Sequence, residues 1–168
     1  GHGRIGRRIG RLAAAFGMHI VAVDPRPGLP ADGVAMLPLA DALAAADAVV
    51  LAVPLTAGTH HLIDAAALTR MRPSAILVNV ARGGVLDQAA LADALAEGRL
   101  LGAGLDVLER EPPDHDDPLL ARDDVVLSPH VAASTPEAVL AVAMACAGNV
   151  IAGLAGRLDP GSLVPPDG

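Results

Sequence analysis

The chain has 168 residues, 52% of them hydrophobic, with 12 Lys and Arg against 19 Asp and Glu and a formal net charge of −7. That balance argues against the basic surfaces on which nucleic acids and anionic membranes bind, and a single cysteine, Cys146, excludes an internal disulfide framework. A chain of this size buries roughly two-thirds of its unfolded surface as one ordinary domain; no signal peptide is visible, and the cytoplasm is the default compartment.

The first motif stands at the first residue. Gly1-His2-Gly3-Arg4-Ile5-Gly6 is a Gly-x-Gly-x-x-Gly run, which seats a dinucleotide pyrophosphate at a helix N-terminus when a strand precedes it. The chain opens on the first glycine and not on methionine, so a longer polypeptide is expected, with that strand upstream. A helix is predicted over 5–16. With the helical turn continued back through Arg4, the residues Arg4, Arg7, Arg8 and Arg11 fall at i, i+3, i+4 and i+7 and share a face, which is either solvated or helps to hold a ligand phosphate.

A strand predicted over 20–23 ends in Asp24. An acidic residue there binds a ribose 2′-hydroxyl and repels a 2′-phosphate, which favours NAD over NADP. Arg26 stands against this, since a nearby Arg can accept a 2′-phosphate. The Pro- and Gly-rich stretch 25–30 is read as a rigid loop.

Further apolar runs at 49–53, 76–80, 102–107 and 125–127 alternate with helical stretches at 38–45, 64–69 and 87–97, the last ended by Gly98. Continuous apolar strands between helices indicate βαβ units and a parallel sheet covered on both faces. In such a sheet ligands bind outside the carboxyl ends of the strands. Asp24, Pro54 to Thr56, Asn79 to Arg82, Asp106 and His130 all fall there.

Two of these positions, with one residue in the loop beyond Asp106, carry chemistry. Oxidation of a 2-hydroxy acid needs a base for the hydroxyl proton and a cation for the carboxylate. His130 suits the first task when a carboxylate orients it, and Glu111 is the candidate partner. Arg82 can grip a carboxylate with both arms of its guanidinium and polarise the C2 oxygen. Taken singly, each has an ordinary reading: a solvated carboxylate in the acidic stretch 111–118, a structural histidine, a loop arginine before Gly83-Gly84. His2, His19, His60, His61 and His115 show no metal-ligand spacing and are read as structural or surface residues; no metal site is expected.

Beyond 133 the chain changes character. The stretch 138–156 carries no charged residue and includes Asn149, after Ser134-Thr135-Pro136-Glu137, a capping-box pattern with Pro in the first turn. Its length is close to that of a membrane span, yet its Ala and Gly content points to a helix at a domain or subunit contact, with Cys146 as a small core residue.

Together these motifs resemble the D-isomer-specific 2-hydroxyacid dehydrogenases. Gly1-His2-Gly3-Arg4-Ile5-Gly6, Val53-Pro54-Leu55-Thr56, Asn79-Val80-Ala81-Arg82-Gly83-Gly84, Gly104-Leu105-Asp106-Val107 and Ser128-Pro129-His130-Val131-Ala132 occur in the family's order. The resemblance implies a Rossmann-type doubly wound α/β fold, with the first strand and most of the substrate domain missing. Residues 1–133 would form the NAD-binding domain, and 134–168 a connecting helix and a tail ending in Leu163-Val164-Pro165 that returns to the substrate domain. It implies a catalytic Arg82, Glu111 and His130, Glu111 rather than Glu109 because the family's Glu precedes Pro. It implies cofactor contacts at Gly1, Gly3, Arg4, Ile5, Gly6, Asp24, Pro54, Thr59, Ala81, Arg82, Asp106 and His130, with Asp106 near the nicotinamide amide. The partners implied are a small 2-hydroxy or 2-keto acid and a second copy in a homodimer, with no nucleic acid and no membrane. The stretch Pro129-His130-Val131-Ala132-Ala133-Ser134-Thr135 leans toward phosphoglycerate-like substrates. His2 and Ala57-Gly58 depart from the family's usual residues without touching the catalytic trio. The polypeptide alone is expected to be inactive. NAD(H)-sensing corepressors and phosphite dehydrogenases share the scaffold and are the alternatives.

Overall fold

The computed structural model describes residues 1–25 and 34–163. Arg26, most of the loop 25–30, and Val164-Pro165 lie outside the described residues. The chain divides into two compact units, residues 1–129 and 130–168.

In the first unit the apolar runs become strands β1 (Val21–Ala22), β2 (Ala35–Met36), β3 (Ala48–Leu51), β4 (Ile76–Asn79), β5 (Gly102–Leu105) and β6 (Val125–Leu127). They pair in two parallel sheets, β1-β2 and β3-β4-β5-β6, where the sequence suggested one. The run 20–23 is matched by only four apolar residues at 34–37, and the ladder between them is two residues long. β2 was not foreseen.

Helices α1 (Arg4–Ala15), α2 (Leu39–Ala45), α3 (Ala65–Arg70) and α4 (Gln88–Ala96) fall where expected. The starts of α3 and α4 are set by local chemistry. Asp64 and Asp87 accept hydrogen bonds from the backbone N–H groups of Ala67 and Ala90, satisfying donors that a helix N-terminus otherwise leaves open. Gly98 follows α4 at φ 67, a left-handed conformation in which glycine avoids the Cβ clash.

The core lies around the four-stranded sheet, where Leu43, Ile63, Leu68, Leu77, Leu91 and Leu119 are almost fully buried. Each such side chain contributes about 1.5–3 kcal/mol relative to exposure. The register matters most for function. Leu51 pairs with Asn79, Asn79 with Leu105, and Leu105 with Leu127, so the strands finish level. The loops that leave them therefore emerge along one edge.

The second unit contains α5 (Pro136–Leu154), capped by Thr135, whose hydroxyl accepts from the Ala138 N–H, with Pro136 in the first turn. No residue of α5 is buried. Cys146 is exposed, which corrects the expectation of a core position. A helix apolar on every side has no single face to turn inward, and here none is covered. By length and composition α5 would suffice to cross a membrane.

Candidate active site

The glycine turn at the start of α1 is tight. A Cβ on Gly6 would lie 2.0 Å from the Gly1 carbonyl oxygen, so the third glycine of the motif cannot be replaced without moving the turn. The Gly3 carbonyl accepts from the Arg7 N–H at 3.0 Å and begins the helix. The first turn of α1 has no acidic residue of its own and carries Arg4 and Arg7, which leaves the positive end of the helix dipole suited to an anion. Asp24 sits beside this turn, its Oδ2 accepting from the His2 backbone N–H at 2.9 Å. Main-chain donors at a helix start, with a carboxylate alongside, fit the pyrophosphate and adenosine ribose of a dinucleotide. Of the four arginines on α1, Arg4, Arg7 and Arg11 line a cleft of about 430 Å³ with His2, His19 and Ile20.

The loop after β3 is organised by Thr59. Its hydroxyl donates to the Pro54 carbonyl at 2.6 Å and accepts from the Thr56 N–H at 2.8 Å. Pro54 and Thr59 are thereby held in one short turn.

The loop after β4 carries Arg82 and hangs on Asn79, which is fully buried. Asn79 Oδ1 accepts from the Ala81 N–H at 3.0 Å, and Nδ2 donates to the Arg82 carbonyl at 3.1 Å. The first bond satisfies a main-chain donor just past the strand end, and the second adds to the Val85 N–H bond that the Arg82 carbonyl already accepts. Arg82 is itself exposed, with one guanidinium N–H donating to the Ala81 carbonyl at 2.7 Å. A Cβ on Gly83 would meet the Leu108 carbonyl oxygen at 1.9 Å. The Arg82 loop and the loop after β5 are in backbone contact there.

That third loop begins with Asp106, buried and hydrogen-bonded from the Ser128 hydroxyl at 2.6 Å. Its N–H donates to the Asn79 carbonyl at 3.0 Å. Glu111 is exposed, its Oε1 accepting from the Leu108 N–H at 3.0 Å, and the Glu111–Pro112 peptide is cis. Pro54, Thr59, Ala81, Arg82, Asp106 and Glu111 are thus on loops leaving one edge of one sheet. His130 opens the second unit and has a left-handed backbone, φ 54.

One contact at this edge goes beyond the sequence reading, in which His61 is a structural or surface residue and Glu109 is set aside for Glu111: His61 Nε2 lies 2.5 Å from Glu109 Oε1. The only available signal was their place in loops that also carry candidate residues.

Residues 1–132 match the family model described as D-isomer specific 2-hydroxyacid dehydrogenase, NAD binding domain. The chain belongs to this family. Among curated relatives it is 46% identical over 163 residues to a glyoxylate reductase of Korarchaeum cryptofilum, covering 95% of this chain and 49% of that protein. It is 44% identical over 163 residues to a D-3-phosphoglycerate dehydrogenase of Mycobacterium tuberculosis, covering 95% of this chain and 31% of that one. Among solved structures, the NAD-complexed D-isomer specific 2-hydroxyacid dehydrogenase of Lactobacillus delbrueckii ssp. bulgaricus superimposes with a TM-score of 0.88 at 29% identity, covering 98% of this chain and 54% of that chain. The chain spans about half the length, or less, of these relatives. The fold is therefore the Rossmann-like α/β fold of an NAD-binding domain in the 2-hydroxyacid dehydrogenase family.

Proposed function

We propose that this chain is the cofactor-binding part of an NAD-dependent dehydrogenase that interconverts a small D-2-hydroxy acid and its 2-keto acid, working as a homodimer in the cytoplasm. The observation that carries the reading is the convergence of the Arg82 and Glu111 loops at the carboxyl edge of the sheet, within a chain whose glycine turn and Asp24 suit NAD. NAD, when bound, accepts a hydride from C2 of the hydroxy acid or, reduced, returns it.

The residues divide the remaining work. Arg82 binds the substrate carboxylate through paired, charge-assisted hydrogen bonds and draws electron density from the C2 oxygen. As C2 loses hydride, the hydroxyl proton passes from that oxygen to an imidazole nitrogen of His130. Glu111 orients the ring and stabilises the imidazolium. In reduction the protonated His130 returns the proton. Asp106 would accept from the nicotinamide amide, while Gly1, Gly3, Arg4, Ile5 and Gly6 would hold the pyrophosphate. Pro54, Thr59 and Ala81 would line the cofactor.

The test is NADH oxidation by the protein at its full natural length, with hydroxypyruvate, glyoxylate, pyruvate and phosphohydroxypyruvate offered in turn. Turnover of at least one acid is expected, and His130→Ala should lower it by about 10²–10⁴-fold. Arg82→Ala should abolish it at ordinary substrate concentrations. Binding of NADH with no turnover of any acid would overturn the reading and favour a cofactor sensor, and turnover of phosphite alone would favour the phosphite dehydrogenases.

A further inference from the structure

We propose that His61 and Glu109 form a clasp between two loops of the candidate site and act as positioning residues for Glu111, an inference that rests on the function proposed above. The two are 48 residues apart in sequence, and His61 Nε2 stands 2.5 Å from Glu109 Oε1. Each lies two residues from a candidate site residue: His61 follows Thr59, and Glu109 precedes Glu111. A bond between them fixes one loop against the other.

Both ends of the clasp are anchored. His61 has φ 49, a left-handed conformation that side-chain-bearing residues seldom adopt and that tends to occur where function demands it. Its N–H donates to the Gly84 carbonyl at 2.8 Å, in the loop that carries Arg82. Its ring stacks on His60 with centroids 4.0 Å apart, and Nδ1 is 3.9 Å from Asp87 Oδ2. On the other side the Glu109 N–H donates to Gln88 Oε1 at 3.0 Å, and Gln88 Nε2 donates to Asp117 Oδ2 at 2.5 Å. His61 therefore joins all three loops, after β3, β4 and β5.

The pair is a poor device for stabilising the fold as a whole. Its side chains are 36% and 35% exposed, and polar side-chain pairs so open to solvent contribute little to global stability. Its effect falls on loop placement. Because Glu111 accepts from the Leu108 N–H, the segment that Glu109 anchors is the one on which the Glu111 carboxylate rests.

The experiment uses the protein at its full natural length. His61→Asn is the informative variant, since asparagine tolerates the left-handed backbone and cannot reach Glu109; Glu109→Ala removes the other half, and His61→Gln restores a donor. His61→Asn and Glu109→Ala should each lower kcat about tenfold, and the double variant no further than either alone, as coupled residues do. NADH affinity, read from nicotinamide fluorescence, and Tm should change little, and His61→Gln should recover most of kcat. Unchanged kcat, multiplicative losses in the double variant, or losses that track Tm would overturn the clasp. Amide exchange provides a readout independent of turnover. In His61→Asn the Leu108 and Glu109 amides should exchange about tenfold faster while those of β4 do not change, and equal protection in both proteins would overturn the clasp. Absence of turnover in the parent protein alone would overturn the proposed function, leaving exchange to decide the clasp.

Discussion

Asn79 shows how one buried side chain sets the place of an exposed one. Its amide spans the Ala81 N–H and the Arg82 carbonyl, and no solvent reaches it. Asn79→Ala takes the side-chain acceptor from the Ala81 N–H, at a cost of about 1–3 kcal/mol for that buried donor, while the Arg82 carbonyl keeps its bond from the Val85 N–H. The loss should appear as a lower midpoint of urea unfolding with an unchanged slope. Gly83→Ala should be worse, because the new methyl meets main-chain atoms of Leu108 that have no rotamer to escape into; little folded protein is expected at 37 °C by circular dichroism. The places of Arg82 and Glu111, on the loops after β4 and β5, were legible in the sequence, Arg82 because it follows an apolar strand run and Glu111 through the family pattern of a Glu before Pro. The Asn79 bonds and the His61–Glu109 pair were not. The first are made to main chain, which sequence does not display, and the second joins residues 48 apart that have no shared pattern.

Helices were placed well from sequence, three of them helped by their own capping chemistry, whereas α1 and α2 have no side-chain cap. Asp64, Asp87 and Thr135 each accept a backbone N–H at a helix start, and Asp87→Ala should cost about 1 kcal/mol in the same unfolding assay. Strands were harder to delimit, because a ladder is as long as its partner allows; the run 102–107 yields only Gly102–Leu105 as strand. The acidic stretch 111–118, read as loop, runs into a short 3-10 helix at Pro118–Ala121, started by Asp117 accepting from the Leu119 N–H. Just before β6, Arg122 donates to both carboxylate oxygens of Asp124 at 2.7 Å. This hydrogen bonding holds the Asp124 carboxyl below its ordinary value and raises Arg122 above its own. A lowered folded pKa makes the contribution to stability full above the unfolded value of about 3.9, and it is lost as pH falls below that through the folded value. Arg122→Gln should move the Asp124 carboxyl titration, followed by NMR, up toward the ordinary value. An unmoved titration would refute the assignment.

At the scale of the whole molecule, apolar surface is out of proportion to the buried core. Ile5 and Leu12 on α1, Phe16 just after it, and Val139, Leu140, Met144, Val150, Ile151 and Leu154 on α5 are exposed. Contiguous apolar faces of this kind are seldom left to water in monomers. A net charge of −7 opposes association only weakly at physiological ionic strength, where charges are screened beyond about 8 Å. The 168-residue chain should therefore self-associate through α5, in keeping with the proposed homodimer. Cys146 supplies the probe, because it is the only cysteine, lies on α5 and is exposed. In dilute solution a thiol reagent such as Ellman's reagent should modify it nearly as fast as in urea. As protein concentration rises its rate should fall, in step with growth of a faster boundary in sedimentation velocity. Leu140→Lys with Ile151→Lys should abolish both changes, because a charge on each of two exposed turns would have to be desolvated at the contact. A thiol rate independent of concentration, together with a single monomer boundary, would exclude α5 as the surface on which copies meet.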